Sequence, residues 1–156
     1  MIALLLAATL AASAAEPPTP ALDPRCYRRE VTNNVPLIVY LGDRVCVDFE
    51  PPRIFEGLWI DAFEGSSFIA GARSLADRPA TGESVWLTID AESRVPARFR
   101  RARYPAQVYR VRFRGRGARD MHRRPLEGYG HLGMSAGVVL VDEMLAMESL
   151  GPVRRR

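Results

Sequence analysis

From Tyr109 to Arg116 the chain alternates: Tyr109, Val111 and Phe113 are apolar, while Arg110, Arg112, Arg114 and Arg116 are cationic. A period of two fits a β-strand, because successive strand side chains point to opposite faces. One face of this strand must be buried and the other must hold four guanidinium groups in solvent. The rest of the chain supplies elements of the same kind to cover the apolar face. Short β-rich runs occur at Ile54 to Asp61, Ser67 to Ala70, Val85 to Asp90 and Gly137 to about Leu145, separated by Gly, Pro and Ser clusters. Upstream, Val35 to Leu41 and Arg44 to Phe49 are separated only by Gly42-Asp43, which predicts a hairpin with a two-residue turn. Val45, Val47 and Phe49 share one face of its second run. Helical spacing is confined to Pro96–Arg103, where Val95, Phe99 and Ala102 recur between Pro96 and Pro105. A short helix before the penultimate strand is where an OB barrel often has one. The expected fold is all-β: a small OB-like Greek-key barrel with an extra N-terminal hairpin and at most one short helix.

With 156 residues, 47% of them apolar, the chain has material for one domain with a real core. A net charge of +4 and that apolar content exclude a disordered polyelectrolyte. Two cysteines are too few for a disulfide scaffold, and no apolar span after the N-terminus is long enough to cross a bilayer. The N-terminus itself carries the apolar run Ile2 to Ala11, followed by Ala12-Ser13-Ala14, which satisfies the A-x-A cleavage pattern. Pro17, Pro18 and Pro20 come next and cannot continue a helix. The expected organisation is a removed signal peptide at 1–15, a proline-rich linker at 16–24, one domain at 25–150 and a basic tail at 151–156, in a periplasmic or secreted protein.

In an oxidising compartment thiols tend to pair, so Cys26 and Cys46 are expected to form a structural disulfide. It would close about 21 residues and add roughly 3 kcal/mol in the chain-entropy account. A zinc site is a poor alternative, since Cys26, Cys46, His122 and His131 lack close ligand pairs. Neither a metal nor a cofactor is expected.

All 22 basic residues are arginine, and they are unevenly placed. Residues 1–92 hold 7 arginines against 13 acids, residues 93–124 hold 12 against Asp120 alone, and residues 125–156 hold 3 against 4. Spaced planar donors suit phosphates and carboxylates, which guanidinium groups bind bidentately. The total absence of lysine argues in part for a compositional origin. For an exported protein the anionic partner is expected to be an envelope lipid, a lipopolysaccharide phosphate or an acidic protein rather than nucleic acid.

Gly133-Met134-Ser135-Ala136-Gly137 matches the G-x-S-x-G elbow of hydrolases, and a Ser135–His131 pair defines the enzymatic alternative. Its surroundings do not suit an elbow: a Gly-rich loop precedes it, a β-branched run follows, and no histidine lies beyond position 131. Gly128-Tyr129-Gly130-His131-Leu132-Gly133 is more distinctive, because three glycines in six residues imply positive φ or close backbone approach. Tyr129 and His131 are therefore added to the arginines as candidate ligand contacts, with a loop-tying role for His131 as the competing reading. Asp61 and Glu64 offer a weaker acid–base pair beside ordinary turn chemistry, and Trp59 and Trp86 are expected in the core.

Gly57-Leu58-Trp59-Ile60, Glu64-Gly65-Ser66-Ser67-Phe68, the arginine strand and the Gly-Tyr-Gly-His-Leu-Gly segment together resemble a group of small exported bacterial proteins of unknown function. The likeness covers about residues 53–147 and implies an OB-like fold and an exported protein, with no activity and no catalytic residue. The chain departs from the group in its longer arginine-rich stretch, including Asp120 to Arg124. The functional expectation is a non-enzymatic envelope binding module using Arg110, Arg112, Arg114, Arg116, Tyr129 and His131. The alternatives are a Ser135 hydrolase, or an inhibitor or structural partner of another envelope protein that inserts the loop at 128–133.

Overall fold

A computed structural model describes residues 22–77, 84–99 and 106–153. The expected signal peptide, the linker up to residue 21 and the last three arginines lie outside the described residues. The N-terminal arm begins with a hairpin of β1 (Tyr27–Thr32) and β2 (Val35–Tyr40). Its turn is Asn33-Asn34, not Gly42-Asp43. Both asparagines have left-handed φ, 52° and 62°, as a primed two-residue turn demands and as asparagine tolerates. Gly42 instead leads into a single helical turn, α1 (Asp43–Cys46), closed by Cys46 N–H donating to the Gly42 carbonyl at 3.1 Å. Val45 is consequently exposed rather than facing a core. The hairpin register pairs Thr32 with Val35 and Val31 with Pro36, which turns the amide-less nitrogen of Pro36 away from β1.

The remaining five strands, β3 (Arg53–Ala62), β4 (Gly65–Ala70), β5 (Val85–Thr88), β6 (Gln107–Gly117) and β7 (Gly137–Pro152), close into a barrel in the order β3-β4-β5-β7-β6. All neighbours are antiparallel except β5 and β7. This is the Greek-key order of an OB barrel. Gly151 and Pro152 still pair with Val108 and Gln107, so the first residues of the expected tail belong to β7. The expected helix at 96–103 is a turn as far as it is described, closed by Phe99 N–H on the Pro96 carbonyl at 2.8 Å. Residues 100–103 lie outside the described residues.

The inward residues of β6 meet an aromatic centre, as the alternation requires. Phe113 stacks on Phe55 with centroids 5.3 Å apart and meets Phe68 edge-on at the same separation. Trp59 lies in this core, its Nε1–H donating to Ser66 Oγ at 2.9 Å. Trp86, also expected inside, is half-buried on the outer side, against Ala118, Tyr129 and Val138. The reason is register: Leu87 takes the inward position on β5, and its neighbour must point outward.

Arg44 bolts the arm to the barrel. Its Nε and Nη2 donate to Asp90 at 2.8 and 3.1 Å, and its Nη1 donates to Asp142 Oδ1 at 2.9 Å. Asp142 Oδ2 accepts from Arg116 Nε at 3.1 Å, and Thr88 Oγ1 donates to Asp43 Oδ2 at 2.5 Å. Arg44 is 19% exposed, and its guanidinium holds the Asp90 carboxyl below its ordinary 3.8. Arg44→Ala is expected to cost about 2–4 kcal/mol in a urea melt, since it strands the partly buried Asp90 carboxylate and leaves Asp142 with Arg116 alone. A carboxylate with a lowered folded pKa stabilises above its ordinary value and loses that contribution as pH falls through the folded value. The gap between wild type and Arg44→Ala should therefore be full near neutrality and shrink below about pH 4.

Candidate functional site

On β6 the arginines face outward and their neighbours inward, so the cationic face exists as a surface. It is largely neutralised across strands. Arg110 meets Glu148 of β7 at 2.6 Å, Arg112 meets Glu56 of β3 at 2.7 Å, and Arg116 meets Asp142 of β7 at 3.1 Å. The first two pairs are directly opposite in register, where side chains of opposite charge attract. Arg114 makes no ion pair among the described residues.

Two cavities open along this face. Arg114 and Arg116 border a small one of about 330 Å³ with Arg94, Glu92 and Asp142. Arg110 and Arg112 border a larger cleft of about 810 Å³, which runs between β3, β6, β7 and the turn at 96–99. Its rim gains Arg73 and Arg98, and its floor is apolar, with Ala72, Phe99, Val111 and Met147. Arg98 lies with its guanidinium 4.5 Å from the Phe99 ring centre. Neither Arg73 nor Arg98 makes an ion pair among the described residues. Arg73 was not foreseen, because it stands alone after β4 and only the fold brings it to β6. Arg98 belongs to the basic block but carries no strand pattern.

The Gly-rich loop is a separate structure. Gly128 N–H donates to the Gly133 carbonyl at 3.0 Å, and Tyr129 and Ser135 exchange backbone hydrogen bonds at 2.8 and 3.0 Å. Gly130, at φ 69°, packs its Cα against the Trp86 indole where a Cβ would collide. Tyr129 is buried, its hydroxyl donating to the Asp120 carbonyl at 2.9 Å and its ring lying under Arg123. His131 turns toward the β3–β4 turn, with Nε2 3.6 Å from Glu64 Oε2. Ser135 is buried with its Oγ 3.2 Å from Ser84 Oγ, and it shares no hydrogen bond with His131. Tyr129 lines a third cleft, on the arm side of the barrel. The six expected contact residues thus do not converge: two arginines serve each of two cavities, and Tyr129 and His131 lie elsewhere.

Compared with known proteins, this chain matches no family model, no curated protein and no solved structure.

Cys26 is buried and Cys46 half-buried, and both are free thiols at close range, with Cys26 Sγ 3.8 Å from the Cys46 carbonyl oxygen. Burial, with the neighbouring Cys26 thiol, pushes Cys46 up to about 11. No helix among the described residues is long and apolar enough to cross a membrane.

The loop region also stores backbone strain. Leu126 and Leu132 hold φ of 71° and 53° while 77% and 70% exposed, so neither conformation is repaid by burial. Leu132→Gly is expected to raise the unfolding free energy by about 0.5–1 kcal/mol in a urea melt, because it relieves the left-handed backbone and loses little packing. A decrease would show that Leu132 makes compensating contacts within the fold.

Proposed function

We propose that this chain is an exported, non-enzymatic binding module of the bacterial envelope, akin to the small OB-like proteins it resembles. Its ligand is an anionic amphiphile held in the larger cleft on the β6 face. One observation carries this reading: Arg73 and Arg98, whose guanidinium groups make no ion pair among the described residues, stand over an apolar floor beside Arg110 and Arg112. A phosphate or carboxylate would take the two unpaired guanidinium groups bidentately, and an acyl chain or apolar side chain would cover Phe99 and Met147. Arg110 and Arg112 form the rim, where a ligand must compete with Glu148 and Glu56. Within the β6 face this moves the weight of recognition from the ladder to the arginines that approach it from other elements.

Lipopolysaccharide retention tests this. Arg73→Ser with Arg98→Ser should lower affinity by about a hundredfold or more, since at least two charge-assisted hydrogen bonds are lost and each is worth about 1.5–3 kcal/mol. Retention should also weaken as salt screens the attraction. Unchanged retention in the double variant ends the proposal.

Export also places Cys26 and Cys46 where a disulfide forms, and their proximity supports that pairing. Maleimide labelling of the denatured protein, purified from the envelope, should then find no free thiol before reduction and both afterwards. Labelling of both without reductant would refute the bond.

A second reading is favoured by Leu126 and Leu132. Large apolar side chains displayed on a strained loop, stiffened by its own hydrogen bonds, suit insertion into a partner protein, as an inhibitor or structural subunit would.

A further inference from the structure

A cleft of about 710 Å³ lies between the arm and the barrel, away from the arginine face. One wall is Tyr27 and Tyr40, opposite one another in the hairpin register, with ring centres 5.5 Å apart and planes tilted by 47°. The other is Trp86, which projects from β5 and is backed by Gly130. Arg44 and Asp43 hold the arm against β5 and β7 along one side of the cleft, and the bridge of Phe49 to Ala118 anchors the segment that follows.

Its charge is opposite to that of the β6 face. Asp90 is answered by Arg44, Asp23 by Arg25, and Arg123 by Asp120. Asp43 accepts only from hydroxyls, Tyr40 at 3.0 Å and Thr88 at 2.5 Å, and Glu127 makes no ion pair among the described residues. Among the described residues two carboxylates are therefore left without a cation, beside the rings of Tyr27, Tyr40, Trp86 and Tyr129. Burial and the Asp43 carboxylate raise the Tyr40 pKa, so its hydroxyl stays a donor to Asp43.

We propose that this cleft binds a proline-rich peptide strand carrying a basic residue, presented by a partner protein. A polyproline II strand has no internal hydrogen bonds and is already extended, so its flat rings enter an aromatic groove at small entropic cost. The surplus of negative charge selects the basic residue: a guanidinium or ammonium group beside Asp43 and Glu127 completes pairs that the described residues leave open. Tyr27, Tyr40 and Trp86 supply the groove, and Asp43 and Glu127 supply the sign.

Tryptophan emission of the full chain gives the readout. The chain has two tryptophans, and Trp59 is 1% exposed, so a change on titration reports Trp86. The probe is a synthetic heptapeptide, Arg-Pro-Pro-Thr-Pro-Pro-Arg, with two controls: alanine in place of every proline, and glutamate in place of both arginines. Saturable binding of the probe is expected, at least about tenfold tighter than of either control. Tyr40→Ala should weaken it about tenfold, while Tyr40→Phe, which keeps the ring, should retain it. Asp43→Asn should weaken it and reduce its salt dependence. Near-ultraviolet circular dichroism of each variant separates loss of binding from loss of the arm. The proposal is overturned if the probe does not bind at millimolar concentration. It is equally overturned if either control binds as tightly, or if folded Tyr40→Ala binds like the wild type.

Discussion

A single guanidinium, that of Arg44, decides how this molecule is put together. The N-terminal hairpin has little apolar surface in contact with the barrel, and most of its residues are exposed. The forked contact of Arg44 with Asp90 and Asp142 fixes α1 across the outer side of β5, with Asp43 and Thr88 as a second point of attachment. Asp142 is shared with Arg116, so the arm, β6 and β7 meet in one charged cluster. Such a cluster adds little net stability compared with an apolar contact, but it specifies one geometry, because each misplacement strands a carboxylate.

That placement has a cost for the fold's usual use. The side of an OB barrel around its second and third strands, framed by the turn after the first and the loop before the last, is where such barrels commonly take ligands. Here the arm covers the outer side of β5, and His131 reaches Glu64 across the two framing loops. What remains open is a slot between arm and barrel and the opposite flank along β6. The two differ in sign, one carboxylate-rich and one guanidinium-rich, so a single barrel presents two clefts of opposite charge.

The barrel was legible because its signals are local. Alternation over Tyr109–Arg116 fixes the faces of β6, and the turn clusters place β3, β4 and β5 within a few residues and the start of β7, which runs on to Pro152, seven residues past its expected end. Gly42-Asp43 is a stronger hairpin signal than Asn33-Asn34, and nothing local shows that Asp43 is required by Thr88, 45 positions away, so the sequence points to the wrong turn. Arginine orientation was legible, while arginine pairing was not: Glu148 is 38 residues from Arg110, and strand order alone makes them neighbours. Arg73 escaped notice for the same reason. The glycines of the 128–133 loop announce close packing: Gly128 and Gly133 meet backbone of the loop itself, while the partner of Gly130, the Trp86 indole, comes only from the barrel.

Pro36 has a consequence for how copies of this molecule can associate. Each free hairpin has two open edges, and an edge with unpaired amides is a template for another strand. The edge of β2 is interrupted where Pro36 presents no N–H, whereas the edge of β1 is continuous. Strand addition along the whole edge is therefore open only to β1, and two hairpins joined through it show proline-broken edges outward. Growth by this route closes at a pair and does not run on into a fibre.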